Sequence, residues 1–156
     1  MARSPLPPIP TRLPDVTVGT THRRGAALAE VVTEDGDTPL ADVLADLGAT
    51  RRAGEVHALS GPDGPRWVVG AGSGSSSQYR TAAAAFVRAV EAASTAGVDT
   101  GGVSAVAVQV RLPDTAGPDE YAAFATGALL GGYRYRVSGS DDGVRGARAA
   151  AAERPG

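Results

Sequence analysis

Residues 66–96 read RWVVGAGSGSSSQYRTAAAAFVRAVEAASTA, and the change of period inside this stretch decides the fold. Arg66 to Val69 is a short apolar run of strand type. Gly70 to Ser77 (GAGSGSSS) follows, made of residues that populate turns and loops freely. From Gln78 to Ala96 the pattern becomes helical, with Phe86, Val87, Val90 and Ala93 on one side and Arg80, Arg88 and Glu91 nearer the other. Ser76 or Ser77 is the expected N-cap, because a serine hydroxyl can accept an otherwise unpaired N–H of the first turn.

The alternation extends in both directions. Glu55 to Leu59 is a second strand, and the turn-rich Gly-Pro-Asp-Gly-Pro that joins it to Arg66 predicts a hairpin. Thr38-Pro39 offers a cap followed by Pro at the first helical position, and Leu40, Val43, Leu44 and Leu47 form an apolar stripe that Gly48 ends. A short amphipathic helix is expected there. Ala26 to Val32 fits a helix or a strand equally. Asp15 to Thr20 (DVTVGT) places Val16 and Val18 on one face, the period of a strand.

Towards the C-terminus, Val103 to Val110 (VSAVAVQV) is apolar on nearly both faces, which predicts a central strand covered by helices above and below. A last helix is expected to start near Pro118 and Asp119, with Tyr121, Phe124, Ala125, Ala128 and Leu129 inward. Gly127, Gly131 and Gly132 each cost a helix about 1 kcal/mol against Ala, so their expected use is close packing or termination. Strands alternating with helices predict an α/β fold, a three-layer α/β/α sandwich with a mixed central sheet.

Composition narrows the function classes. A chain of 156 residues suits one core. Aromatic residues are 4% of the chain, too few for an aromatic cage or a row of base-stacking platforms. The net charge of −2 gives no field that would draw in phosphate backbones or anionic lipid. Cysteine is absent, which excludes disulfides, thiolate metal sites and a cysteine nucleophile, and fits a cytoplasmic protein. Pro5, Pro7, Pro8, Pro10 and Pro14 interrupt any apolar run at the N-terminus, and no stretch approaches the ~20 apolar residues of a membrane span. Residues 1–14 are therefore expected to be a flexible Pro-rich arm, 15–136 the folded domain, and 137–156 a linker or disordered tail.

The order of elements and some of their wording resemble the N-terminal domain of the leucyl aminopeptidases. FATGALLGGYRY, Phe124 to Tyr135, is similar to the family stretch in which a helix reads EGALL and runs into YRF. Before it, in the family's order, stand Arg52 to Leu59 (RAGEVHAL), Arg66 to Gly74 (RWVVGAGSG, where the family has RVLLVGLG) and the Ala-rich Ala82 to Val90. The chain departs from the pattern at Thr126, where the family has Glu, and at Val137-Ser138-Gly139.

The resemblance implies a macro-domain-like architecture and a non-catalytic domain with an assembly or regulatory role. Its partner would be a separate catalytic domain, in cis or in trans, in proteins that usually form oligomers. The family's two divalent metals, Zn or Mn, and its catalytic groups belong to that second domain, on a motif NTDAEGR and on separate Lys and Asp residues. This chain has neither Lys nor Asn, so no catalytic residue, metal ligand or cofactor is expected in it.

A second possibility lies in the glycine loop. Gly70, Gly72, Gly74, Ser75 and Ser76 follow a strand and precede a helix, a position where backbone N–H groups can hold a phosphate. The dinucleotide spacing G-x-G-x-x-G fails at Ser75, the next strand ends at Arg111 instead of an acidic residue, and a Walker lysine does not exist. A plain turn is the favoured reading, and a stand-alone module binding ADP-ribose or a related nucleotide is the alternative.

His22 and His57 read as a loop and a strand-surface histidine, and Asp35-Gly36-Asp37 as a solvated turn lacking the rest of a Ca²⁺ loop. Asp141 and Asp142 fall in the expected linker. Acidic residues interrupt Arg134, Arg136, Arg145, Arg148 and Arg154, so nucleic acid is not the expected partner.

Overall fold

The computed structural model describes residues 14–19, 26–61, 64–95 and 108–132. Its elements run β1 (Ala27–Val32), α1 (Ala41–Asp46), β2 (Val56–Gly61), β3 (Gly64–Gly70), α2 (Ser76–Thr95), β4 (Val108–Arg111) and α3 (Pro118–Gly131). Among the described residues the sheet has the order β2-β3-β1-β4. β1 is parallel to β3 and to β4, and β2 is antiparallel to β3, so the sheet is mixed as expected.

The segment that fitted helix or strand is a strand. Ala29, Val31 and Val32 are buried, and Leu28 to Val32 pair in register with Arg66 to Gly70. Partners on both sides make the choice that local period could not make. The hairpin expected from the turn-rich link is present, with Gly61 opposite Gly64 and Val56 opposite Val69.

Alternation assigns the two faces. Ala29, Val31, Trp67 and Val69 point to α2 and α3 and form one core with Tyr79, Ala82, Phe86, Phe124 and Ala128. The Trp67 and Phe86 rings meet edge to face at 5.9 Å. Val32 and Val68 point the other way, onto Leu44 of α1.

α2 and α3 pack closely because two glycines remove side chains from the contact. A Cβ on Gly127 would overlap the main chain of Arg80, and one on Gly131 would lie 2.7 Å from Ala84 Cα. Buried Ala123, Gly127 and Gly131 stand four residues apart, so a small-residue face meets the α2 backbone. The expected use of Gly127 and Gly131 for close packing is what the structure has.

Four expectations need correction. Residues 14–19 carry no regular structure, and Val16 and Val18 are exposed; an alternating pattern makes a segment extended but supplies no partner. The strand expected over Val103 to Val110 is described over Val108–Arg111 and, among the described residues, stands last in the sheet order instead of centrally, while residues 103–107 lie outside them. Tyr121 and Leu129 of α3 are exposed, because the contact stripe is centred on Gly127. In α1 only Leu44 is buried, and Val43 and Leu47 face solvent. The expected arm before Pro14 and the tail 137–156 lie outside the described residues.

Candidate functional site

β1, β3 and β4 run parallel, so the loops at their carboxyl ends gather at one end of the sheet, where open α/β sheets commonly hold ligands. Three of the segments there are tied together. The ladder between β1 and β3 continues past the strands, with Ala71 N donating to Val32 O at 2.8 Å and Glu34 N to Gly72 O at 2.9 Å. Arg51 links both loops: its Nη1 donates to Gly36 O at 2.9 Å and its carbonyl accepts from Gly72 N at 3.0 Å. Arg51 has φ 60°, the left-handed region that ordinary side chains avoid.

Gly70 and Gly72 are required by this closeness. A Cβ on Gly70 would strike the carbonyl of Arg52, and Gly72 has φ +55° with the Gln78 amide against it. The start of α2 is closed by a reciprocal cap one residue before the expected position. Gln78 N donates to Ser75 Oγ at 3.4 Å, and Gln78 Oε1 accepts from Ser75 N at 3.4 Å and from Ser73 Oγ at 2.7 Å.

The loop's backbone donors are therefore largely engaged within the fold. Gly70 N bonds Glu55 O, Ala71 N bonds Val32 O, Gly72 N bonds Arg51 O, Gly74 N bonds Ala71 O, and Ser75 N bonds Gln78. The adjoining open groove is lined by Glu34, Asp35, Asp37 and Arg51 among others, three carboxylates to one guanidinium. That balance favours a cation's approach over a phosphate's.

Glu55 braces the segment that carries Arg51. Its carboxylate accepts from Thr50 Oγ1 at 2.6 Å, from the N–H groups of Thr50 and Arg52 at 3.1 and 3.2 Å, and lies 2.8 Å from His57 Nε2. Burial pushes this carboxyl up, but the bonds from Thr50, His57 and Arg52 outweigh it and hold it at about 2. At the start of α2, burial raises the Tyr79 hydroxyl, and nearby Glu120 and Tyr121 add to the rise. At the start of α3, Glu120 Oε2 accepts from Gly117 N at 2.9 Å.

The structure brings Gly70, Gly72, Gly74, Ser75 and Ser76 into one ordered turn. It places His57 on β2 beside Glu55, and Asp35 and Asp37 in an exposed turn. His22, Asp141, Asp142 and the C-terminal arginines lie outside the described residues. Among the described residues no three or more His, Asp or Glu side chains group closely enough to hold a metal ion, so the donor set does not fit a two-metal centre. Sequence reading missed Arg51, Glu55 and Gln78 as the residues that hold the turn. The spacing Ser75-x-x-Gln78 was a legible signal for one of them.

A profile of the cytosol aminopeptidase family's N-terminal domain matches residues 18–141. The chain belongs to this family. Two solved structures are similar to it. The bottromycin maturation enzyme BotP in complex with Mn is 29% identical with a TM-score of 0.53, and a second structure of BotP is 25% identical with a TM-score of 0.51. Each match covers 74% of this chain and 25% of the BotP chain, so this chain spans about a quarter of those relatives. No curated protein sequence matches it. Among the described residues no helix is long and apolar enough to cross a membrane.

Proposed function

We propose that this chain is a non-catalytic domain of a cytosol aminopeptidase-type metallopeptidase, acting in assembly or regulation in the cytoplasm. The carrying observation is the match to the family's N-terminal domain over residues 18–141. The loop cluster supports the same reading, because its polar groups are spent on one another and act as a brace. Two divalent metals, Zn or Mn, and the hydrolysis of N-terminal residues from peptides belong, on this reading, to a separate catalytic domain bound in cis or in trans. The three-layer, macro-domain-like description is part of the same proposal.

Two measurements test it. The purified chain with Zn²⁺ or Mn²⁺ is expected to leave leucine amide intact, and turnover would overturn the proposal. Immunoprecipitation of the endogenous protein is expected to bring down a metallopeptidase catalytic part, either within a species several-fold heavier than 15.6 kDa or as a companion subunit. A lone 15.6 kDa species without one counts against the reading.

A second reading, a module binding ADP-ribose or a related nucleotide at Gly70 to Ser77, draws support from the loop's position at the strand ends and at the start of a 20-residue helix. The engaged N–H groups and the acidic groove weigh against it. Calorimetry with millimolar ADP-ribose that gives no heat would end it.

A further inference from the structure

We propose that residues 49–53 form a strap across the crevice between the carboxyl ends of β1 and β3, and that this strap opens as a unit while the rest of the fold stays closed. β1 leads to α1 on one face of the sheet and β3 to α2 on the other, so the two chain segments part where the strands end. Open α/β sheets hold their ligands at such a parting. Here Arg51 occupies it. Its guanidinium ties down the loop after β1 through Gly36 O, and its carbonyl takes the N–H of Gly72 in the loop after β3. The main chain of Arg51 and Arg52 fills the space that a Cβ on Gly70 would need.

Polar bonds hold the strap down, not burial. None of residues 48–55 is buried, whereas Val69 and Ala71 on either side of Gly70 are fully buried. The strap's apolar residues are Ala49 and Ala53 alone. Its shape depends on one carboxylate, because Glu55 accepts from Thr50 N, Thr50 Oγ1 and Arg52 N and so brackets Arg51 from both sides. That grip keeps Arg51 at φ 60°, a conformation a non-glycine residue leaves when released. Gly48 at φ +66° and Gly54 at φ +88° stand at the two ends and serve as hinges. A segment with few apolar contacts opens at a lower free energy than the core beneath it.

Opening changes what the sheet end offers. In the closed state the Gly36 carbonyl and the Gly72 N–H are spent on Arg51, and in the open state both are free. The strap is an autoinhibitory contact: whatever enters between β1 and β3 must displace Arg51, so its apparent affinity is reduced by the fraction of chains that stand open.

Native-state hydrogen exchange of the full 156-residue chain, followed amide by amide by NMR and corrected for intrinsic rates, tests this. The Gly72 amide, whose partner lies on the strap, is expected to exchange at least about tenfold faster than that of Ala83 inside α2. Phe86→Leu weakens the core and is expected to speed Ala83 while leaving Gly72 unchanged, because strap opening does not involve the core. Glu55→Gln is expected to speed Gly72 about fivefold. Thr50→Ala removes only the hydroxyl at 2.6 Å from Glu55 and is expected to speed Gly72 by less. A Gly72 amide that exchanges at the Ala83 rate and follows it in Phe86→Leu overturns the proposal. So does a Gly72 rate that neither Glu55→Gln nor Thr50→Ala changes. Neither failure touches the accessory-domain reading, which rests on the family match.

Discussion

On one face of the sheet, Ala29, Val31, Trp67 and Val69 lie under two helices whose backbones approach through Gly127 and Gly131. On the other face, Val32 and Val68 meet α1, a helix of six residues with one buried side chain, Leu44. The first face holds most of the buried apolar volume. The second adds a small patch, and a single side chain decides whether it is covered. Burial stabilises in proportion to apolar area removed from water, so equal truncations on the two faces should not cost the same.

Phe86→Ala is the most direct way to break that contrast. It removes a ring that is 4% exposed and packed edge to face on Trp67, so a loss of about 4 kcal/mol is expected in urea unfolding. A loss below about 1 kcal/mol would mean that the α2 side is not a close-packed core. Gly127→Val tests the helix contact itself. The added side chain meets the Arg80 main chain, which cannot move without displacing α2, and overpacking is expected to cost about 3 kcal/mol. Gly19→Val has no neighbour within 4 Å and is expected to change stability by less than about 0.5 kcal/mol.

Leu44→Ala sharpens the comparison from the thinner face. The side chain is 1% exposed, but its cluster is small and flanked by exposed Val43 and Leu47, so its surroundings can close around the gap. The expected cost is about 2 kcal/mol, the low end for such a truncation. A value equal to that of Phe86→Ala would show the two faces to be equally packed.

The same contrast explains what was legible beforehand. Arg66 to Ala96 and the hairpin before it were readable because period, turn residues and breakers agreed in each. Gly127 and Gly131 were readable as packing devices, since a helix does not otherwise carry them cheaply. Tyr121, Leu129, Val43 and Leu47 were misplaced because an apolar stripe gives only a direction. Which part of it is covered depends on what packs there, and the close approach at Gly127 rotated the buried stripe of α3. The candidate turn was found from its glycines and serines, while the groups that brace it were not. Arg51 acts through main-chain atoms 15 or more residues away in sequence, which leaves no local pattern, and the Glu55 carboxylate bonds Thr50, Arg52 and His57 around an irregular loop that has no period to read.

Glu55 carries a smaller effect than the core truncations, and one with a sign to work out. Its carboxyl is held at about 2 in the folded chain, below the ordinary 4.5, so the folded state favours the charged form. The stabilisation is fully present above about pH 4.5 and is lost as pH falls towards 2. Glu55→Gln should cost about 1 kcal/mol at neutral pH, a modest value because the group stands near solvent, which screens it. The comparison belongs in a His57→Gln background, where the carboxylate's partner at 2.8 Å is replaced by an amide that is neutral at every pH. There, the gap in urea stability between the chain that keeps Glu55 and the chain that also carries Glu55→Gln should narrow steadily from about pH 5 to about pH 2, because protonation makes the acid resemble the amide. A gap that stays constant over that range would mean that Glu55 braces Thr50 to Arg52 by shape alone, and that its charge contributes nothing.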